Sequence, residues 1–212
     1  MQPDLGMTIL VVTVFAIQLF IAGLPWRFIL MGFFGGTSVL GLAIALLPHV
    51  RHRLHVFWNP DTLSIFEERF QITQSLKSFA KAGLWGLGPG EGRLKFHLPD
   101  AHTDFIMAVA AEEFGLLFCL GLLVIYACLV LSPLRHGLNN RNLFVTLSLV
   151  GLCSHLGIQV LINIASAVGL IPTKGMPLPF ISYGGSSMLA NAFLTGGLLA
   201  LTRRRSSGLC DP

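Results

Sequence analysis

DFIMAVAAEEFGLLFCLGLLVIYACLVLS, residues 104–132, decides how the chain is read. It opens on one carboxylate, carries two more at Glu112 and Glu113, and then runs without a charge to Ser132. A helix that crosses a bilayer needs about 20 mostly apolar residues. This stretch meets that length, and four others come close: 5–24, 28–48, 143–171 and 185–202. Their Gly, Leu, Ile, Val and Phe content suits helices in lipid, and the short alternating segments of a membrane barrel are missing. The expectation is an all-α fold, a polytopic membrane helical bundle of about five transmembrane helices forming one membrane domain over 1–212.

Composition agrees. Of 212 residues, 53% are apolar and only 11% charged, a balance that excludes an ordinary soluble domain. The formal charge of +4 is spread over loops and tail. Nucleic-acid binding needs a concentrated basic face, so no nucleic-acid partner is expected. The first stretch does not read as a secretory signal, since no Lys or Arg precedes it. The four cysteines, at 119, 128, 153 and 210, have no metal-ligand spacing and read as small apolar fillers plus one thiol in the tail.

Outward from the central stretch, the turns come first. Asp4 precedes the first span and could cap it. Pro25, Trp26 and Arg27 read as a short turn with Trp26 at the interface. Gly32, Gly35, Gly36 and Gly41 would let the second span approach a neighbour closely. Residues 133–142 read as a short basic turn. Residues 49–102 make the one long loop. Within it, 66–82 carries a helical pattern that puts Phe66, Phe70, Ile72, Leu76 and Ala80 on one half of the circumference. Two readings stay open: an interfacial helix on the membrane surface, or a helix packed on the bundle.

The chemistry-bearing residues gather around the central stretch. Glycines alternate at 86, 88, 90 and 92, in a pattern that is neither GxGxxG nor a P-loop. Tight turns or close backbone approach are the expected use. Arg93 and Lys95 follow, as a solvated pair or as phosphate contacts. Asp104 lies at the mouth of a span, where it or Thr103 could simply cap the helix. Glu112 lies eight residues on, about 12 Å deeper and within about 80° of Asp104, with Glu113 on the opposite side. That placement suggests different partners for the two acids. Intramembrane ionisable residues are functional candidates.

The fourth span carries His155, Gln159, Asn163 and Ser166 on one stripe, facing either helix neighbours or a polar cavity. After it, IPTKGMPLPFISYGGSS (171–187) has too many prolines and glycines for a regular helix. Ser186 or Ser187 could cap the last span, whose helix end could hold an anion. Lys174 is the one charge in that loop. Arg27, Arg135, Arg141 and Arg203–Arg205 fall on one side of a five-span bundle, while the long loop and Lys174 fall on the other. Short loops favour the first side as cytoplasmic, which puts Asp104 and Lys174 at the outer face.

LPDAHTDFI with AAEEFG, and PTKGMPLPFISYGGSS, resemble the SEDS family of bacterial cell-wall polymerases. QPDLG near the start and QITQSLKSFAKAGLWGLGPG fit in the same order. PTKG ahead of LPFISYGGSS is closer to the division member than to the elongation member. The resemblance implies a ten-helix fold of which this chain is the second half, with 49–102 as the extracytoplasmic, periplasmic loop. A fragment of a longer reading frame is the expected account.

The resemblance also implies a peptidoglycan glycosyltransferase that polymerises lipid II, a disaccharide-pentapeptide on undecaprenyl pyrophosphate. It implies a place in the bacterial inner membrane at the division septum, with a class B penicillin-binding protein and other divisome membrane proteins as partners. Asp104 is then the essential carboxylate, as general base or as metal ligand. Arg93, Lys95, His102, Glu112, Gln159, Asn163, Lys174, Ser182 and Ser186 are the candidate substrate contacts. A divalent cation, Mg or Mn, could assist, with no organic cofactor. A lipid II flippase and a non-catalytic division scaffold are the rival readings.

Overall fold

The computed structural model describes residues 5–46, 66–93, 102–171 and 176–203. Among these residues are the helices α1 Leu5–Ile21, α2 Trp26–Leu46, α3 Phe66–Ala82, α4 Ile106–Leu138, α5 Leu143–Ala167 and α6 Gly185–Thr202. Among the described residues there is no strand. The five expected spans and the loop helix are all present, and the bundle is all-α. The capping expected of Asp4 lies outside the described residues.

The helix ends follow from particular residues. Gly23, at φ +90°, ends α1. The amide of Leu24 reaches Leu19 O at 3.1 Å and that of Gly23 reaches Phe20 O at 3.1 Å, the paired bonds of a glycine C-cap. The same pair closes α5, where Gly169 has φ +71° and Leu170 N reaches Ala165 O at 2.8 Å. The turn after α1 is therefore Gly23–Pro25, not Pro25–Arg27. Trp26 and Arg27 start α2, because proline is well suited to the position just ahead of a helix. Trp26 is 65% exposed, as an interfacial anchor would be.

The expected basic turn over 133–142 shrinks to 139–142, because α4 continues through Pro133 to Leu138. Asn142 then starts α5, its side-chain oxygen accepting from Phe144 N at 3.0 Å. Thr146 Oγ1 donates back to Gly137 O at 2.8 Å, drawing the two helices together. A Cβ at Gly137 would lie 3.0 Å from Leu149 Cβ, a tight contact that glycine avoids.

α5 is the central element. Its Val160 and Ala167 pack with Met107, Ala111, Cys119 and Tyr126 of α4, Ala82 of α3 and Leu178. Its Leu149, Cys153 and Leu156 pack with Leu194 and Leu198 of α6. The opposite side of α4, from Phe114 through Leu131, leaves large apolar side chains exposed. Such a surface suits lipid rather than water. Among the described residues nothing comes within 4 Å of a Cβ at Gly32, Gly35, Gly36 or Gly41.

α3 packs on the bundle mainly through small residues, with half-buried Phe79 packed beside them and Ile72 and Leu76 reaching Gly169. Ser75, Ser78 and Ala82 are buried, and Ser75 Oγ donates to Ala167 O at 2.5 Å. Phe70 and Leu76 stay 43% and 46% exposed. Serine and alanine allow the close backbone approach that a phenylalanine face would forbid. The helix is thus docked on the bundle and keeps an open apolar edge.

One feature of α4 was not visible as a break in its apolar pattern. Gly115 has φ +84° and ψ 176°, a conformation reserved for glycine, and it interrupts the helix. In an unbroken helix Leu116 and Leu117 would donate to Glu112 and Glu113. Instead Leu116 N bonds Gly83 O at 3.2 Å and Leu117 N bonds Leu84 O at 3.3 Å. The freed carbonyls of Glu112 and Glu113 accept from Leu87 N at 2.9 Å and Gly88 N at 3.1 Å. The glycine-rich loop after α3 is inserted into the helix and supplies what the break removed. Gly86, at φ +79°, makes the fit possible: a Cβ there would overlap Glu113 and Gly115 backbone atoms.

Gly86→Ala and Gly115→Ala should each remove about 2 kcal/mol or more, through strain at positive φ and backbone overlap. Gly121→Ala, whose Cβ would meet nothing within 4 Å, should stay within about 0.5 kcal/mol of the parent. Thermal unfolding of the detergent-solubilised protein, compared across the three variants, checks this.

Candidate functional site

Asp104 lies just ahead of α4. The cap position of that helix is Phe105, with no side-chain cap, so the helix start falls one residue beyond Asp104. Phe105 is buried against Ala108, Val109 and Phe79, which pins the chain where it enters the helix. Asp104 itself is half-buried and His102 is exposed. The carboxylate is thus at the rim of the bundle.

The backbone behind it is held at three successive carbonyls. His102 O accepts from Tyr183 N at 3.0 Å. Thr103 O accepts from Ser182 Oγ at 2.5 Å. Asp104 O accepts from Asn163 Nδ2 at 3.1 Å. Two of the three donors come from the loop 176–183, and the third comes from α5.

That loop is held in turn by side chains from the bundle. Asn163 Nδ2 also donates to Met176 O at 2.8 Å, and Gln159 Nε2 donates to Pro177 O at 3.0 Å. The hydroxyl of Tyr126, on α4, donates to Pro179 O at 2.5 Å. Ser182 Oγ accepts from Leu178 N at 2.8 Å, so it takes one bond and gives another. Pro177 and Pro179 have no amide hydrogen, and their carbonyls would be orphaned in an apolar interior without such donors. Phe180 sits at φ +64°, which is unfavourable for a phenylalanine and persists only where its surroundings over-determine it.

The polar stripe of α5 is therefore split in its use. Gln159, 7% exposed, and Asn163, 1% exposed, hold loop carbonyls rather than neighbouring helices or an open cavity. Ser166 is buried nearby. His155 points elsewhere, into a groove of about 560 Å³ between α1, α5 and α6 that Gln18 and Ser148 also line. Sequence spacing put all four on one face, and it could not say that two different elements meet that face.

Glu112 and Glu113 share one neighbour. Both carboxylates converge on Gly92: a Cβ there would lie 3.0 Å from Glu112 Oε2 and 3.0 Å from Glu113 Oε1. The inserted loop brings the chain ahead of Arg93 across both side chains, so two acids about 100° apart on an ideal helix meet one segment. Glu112 is 4% exposed and Arg93 is exposed. Lys95 and Lys174 lie outside the described residues.

At the start of α6 the expected serine caps are not used. The cap position is Gly184, and Ser187 Oγ donates to Gly184 O at 2.9 Å instead of accepting from the helix amides. Ser186 is exposed in the first turn. Among the described residues no group of three His, Cys, Asp or Glu side chains could hold a metal ion. What stands together at the rim is a half-buried carboxylate on a backbone held from behind, a proline-rich loop held from below, and exposed His102 beside it. Such an arrangement can accept a proton from a substrate hydroxyl. Tyr126 was not singled out as a site residue from the sequence; a tyrosine in an apolar span whose hydroxyl needs a partner was the available signal.

Comparison with known proteins follows this geometry. The model of the cell cycle protein family FtsW/RodA/SpoVE matches residues 1–207. A probable peptidoglycan glycosyltransferase FtsW of Caulobacter vibrioides is 44% identical over 206 residues, covering 96% of this chain and 51% of that protein. The stage V sporulation protein E of Bacillus subtilis is 37% identical, covering 95% of this chain and 55% of its own length. Among solved structures, a chain from a peptidoglycan synthase complex matches with a TM-score of 0.74 at 30% identity, covering 97% of this chain and 57% of that one. The rod shape determining protein RodA of Thermus thermophilus, as an aspartate-to-alanine mutant, matches with a TM-score of 0.63 at 30% identity, over 97% and 52% of the two chains. The chain spans about half the length of the curated relatives it matches. With matched sequence from end to end and the same helical fold, the chain belongs to the FtsW/RodA/SpoVE family of cell cycle proteins, the SEDS membrane proteins.

Proposed function

We propose that this chain carries the reactive carboxylate of a peptidoglycan glycosyltransferase that polymerises lipid II during bacterial cell division. The observation that carries the reading is the grip on His102, Thr103 and Asp104, whose successive carbonyls are each held from outside the segment. It presents Asp104 half-buried at the rim of a membrane bundle, where a lipid-borne saccharide can reach it. Relatives named peptidoglycan glycosyltransferase support the substrate class. The basic short connections and tail support an outer-face location for Asp104 and the long loop, and relatives named as cell cycle proteins support a place in the bacterial inner membrane at the septum.

In the proposed reaction Asp104 takes the proton of a sugar 4-hydroxyl as that oxygen attacks an anomeric carbon. The bond from that carbon to the lipid pyrophosphate breaks, and the pyrophosphate leaves with its electrons. Positioned base catalysis of this kind contributes about 10²–10⁴-fold. The leaving group carries the developing charge, so cations should stabilise its departure. Arg93, Lys95 and Lys174 are the candidates, with His102, Glu112 and Ser186 as further substrate contacts. Mg²⁺ or Mn²⁺ is a further source of positive charge and would be carried on the pyrophosphate with most ligands from water and phosphate. Among the described residues no cluster of three His, Cys, Asp or Glu side chains could hold it, and Asp104 is the candidate ligand. The proposed partners are a class B penicillin-binding protein and other divisome membrane proteins. A neighbour solved within a peptidoglycan synthase complex supports this.

Asp104→Asn in the intact membrane protein should lower lipid II polymerisation by about 10²-fold or more while leaving substrate binding nearly unchanged. Glycan strands made at the parent rate by that variant would overturn the assignment. A flippase would change only the sidedness of lipid II and make no strands in detergent. A scaffold would keep septation intact with Asp104→Asn. Arg93→Ala should reduce kcat/KM by about tenfold, the loss of one charge-assisted phosphate contact. Steady-state rates on lipid II measure that effect.

A further inference from the structure

We infer that Asn163 and Ser182 are positioning residues for Asp104, acting through its backbone and not by touching substrate. The inference rests on the proposed role of Asp104 and adds which groups set the place of its carboxylate. Of the three donors that hold carbonyls 102–104, two are side chains: Ser182 Oγ on Thr103 O and Asn163 Nδ2 on Asp104 O. Each of the two also grips the loop 176–183. Asn163 Nδ2 holds Met176 O, and Ser182 Oγ accepts from Leu178 N. The pair therefore couples the segment that bears the carboxylate to the proline-rich loop.

The orientation of Asn163 supports a donor role. Its Nδ2 makes two bonds to carbonyl oxygens, so turning the amide over would set oxygen against oxygen. Its Oδ1 is buried and has no hydrogen-bond partner among the described residues. A buried acceptor left unsatisfied is unfavourable. Asn163 is tolerated here because only a side chain with two donor hydrogens can bridge Asp104 O and Met176 O from one atom. At 1% exposure, bulk water cannot take over either bond if the side chain is truncated. A misplacement of about 1 Å in a reacting group can cost on the order of 10²-fold in rate. Such a loss falls on the chemical step and not on substrate affinity.

The test uses the intact membrane protein in detergent, with lipid II as substrate and Asp104→Asn in parallel. Asn163→Leu keeps the bulk and removes both donors. Ser182→Ala removes the hydroxyl, and Ser182→Thr restores it. The expected result is a tenfold or larger fall in kcat for Asn163→Leu and Ser182→Ala, with KM and the folded fraction within twofold of the parent. Ser182→Thr should return kcat to within threefold. If Asp104→Asn is inactive while either truncation keeps kcat within twofold, the positioning role is overturned and the role of Asp104 stands. A fall in rate that merely tracks a fall in folded protein, or that appears in KM alone, also overturns it. If Asp104→Asn is fully active, the function itself falls, and the positioning role with it. Should Asn163→Leu fail to fold, the Ser182 pair decides alone.

Discussion

Backbone amides and carbonyls inside a bilayer must find partners in the protein, and that constraint organises this molecule. A regular helix satisfies it automatically. Among the described residues the chain departs from regular helix at two places against the bundle, Gly115 and 176–183, and both are repaired by bonds from another element. At Gly115 the repair comes from the loop after α3, whose carbonyls at 83 and 84 and amides at 87 and 88 stand in for two lost helical bonds. At 176–183 the repair comes from side chains, since prolines leave carbonyls exposed that no helix would cover. Tyr126, Gln159 and Asn163 meet three of them.

The two repairs have a consequence for the site. α4 begins just after Asp104 and is broken at Gly115, so the short segment 106–114 joins the carboxylate to the docked loop and to α3. On its other side the same carboxylate-bearing segment is held by the 176–183 loop and by α5. Asp104 therefore sits where three otherwise separate parts of the chain are tied together. A reacting carboxylate works best on a rigid support. Here the rigidity comes from hydrogen bonds made to the backbone, which leaves the position of the side chain set without enclosing it.

Polar residues within the spans divide accordingly. Gln159, Asn163 and Ser75 look inward to loop or helix carbonyls, and their role is to satisfy backbone. Glu112 and Glu113 meet the chain at Gly92, just ahead of Arg93, so acids inside the apolar run are brought to the basic end of the glycine-rich loop. His155, Gln18 and Ser148 form a separate polar patch along a groove between α1, α5 and α6. The first of these groups is tied directly to the segment that carries Asp104 through Asn163.

The sequence by itself determined the class of fold, the number and approximate limits of the spans, the loop helix over 66–82 and the family. Apolar run length and turn chemistry are local properties, and a motif such as AAEEFG or PLPFISYGGSS is read without knowing its neighbours. Asp104 was legible for the same reason, as an acid at the edge of an apolar run. Tertiary structure alone decided which side of α3 is buried, that Gly115 breaks α4, that Glu112 and Glu113 both reach one glycine, and that Gln159 and Asn163 hold a loop. Each of these depends on a partner distant in the chain. Glycine in a span reads the same whether it faces open space, as Gly35 does, or admits a loop, as Gly115 does. What separates the two is the backbone that comes to meet it, which no local pattern contains.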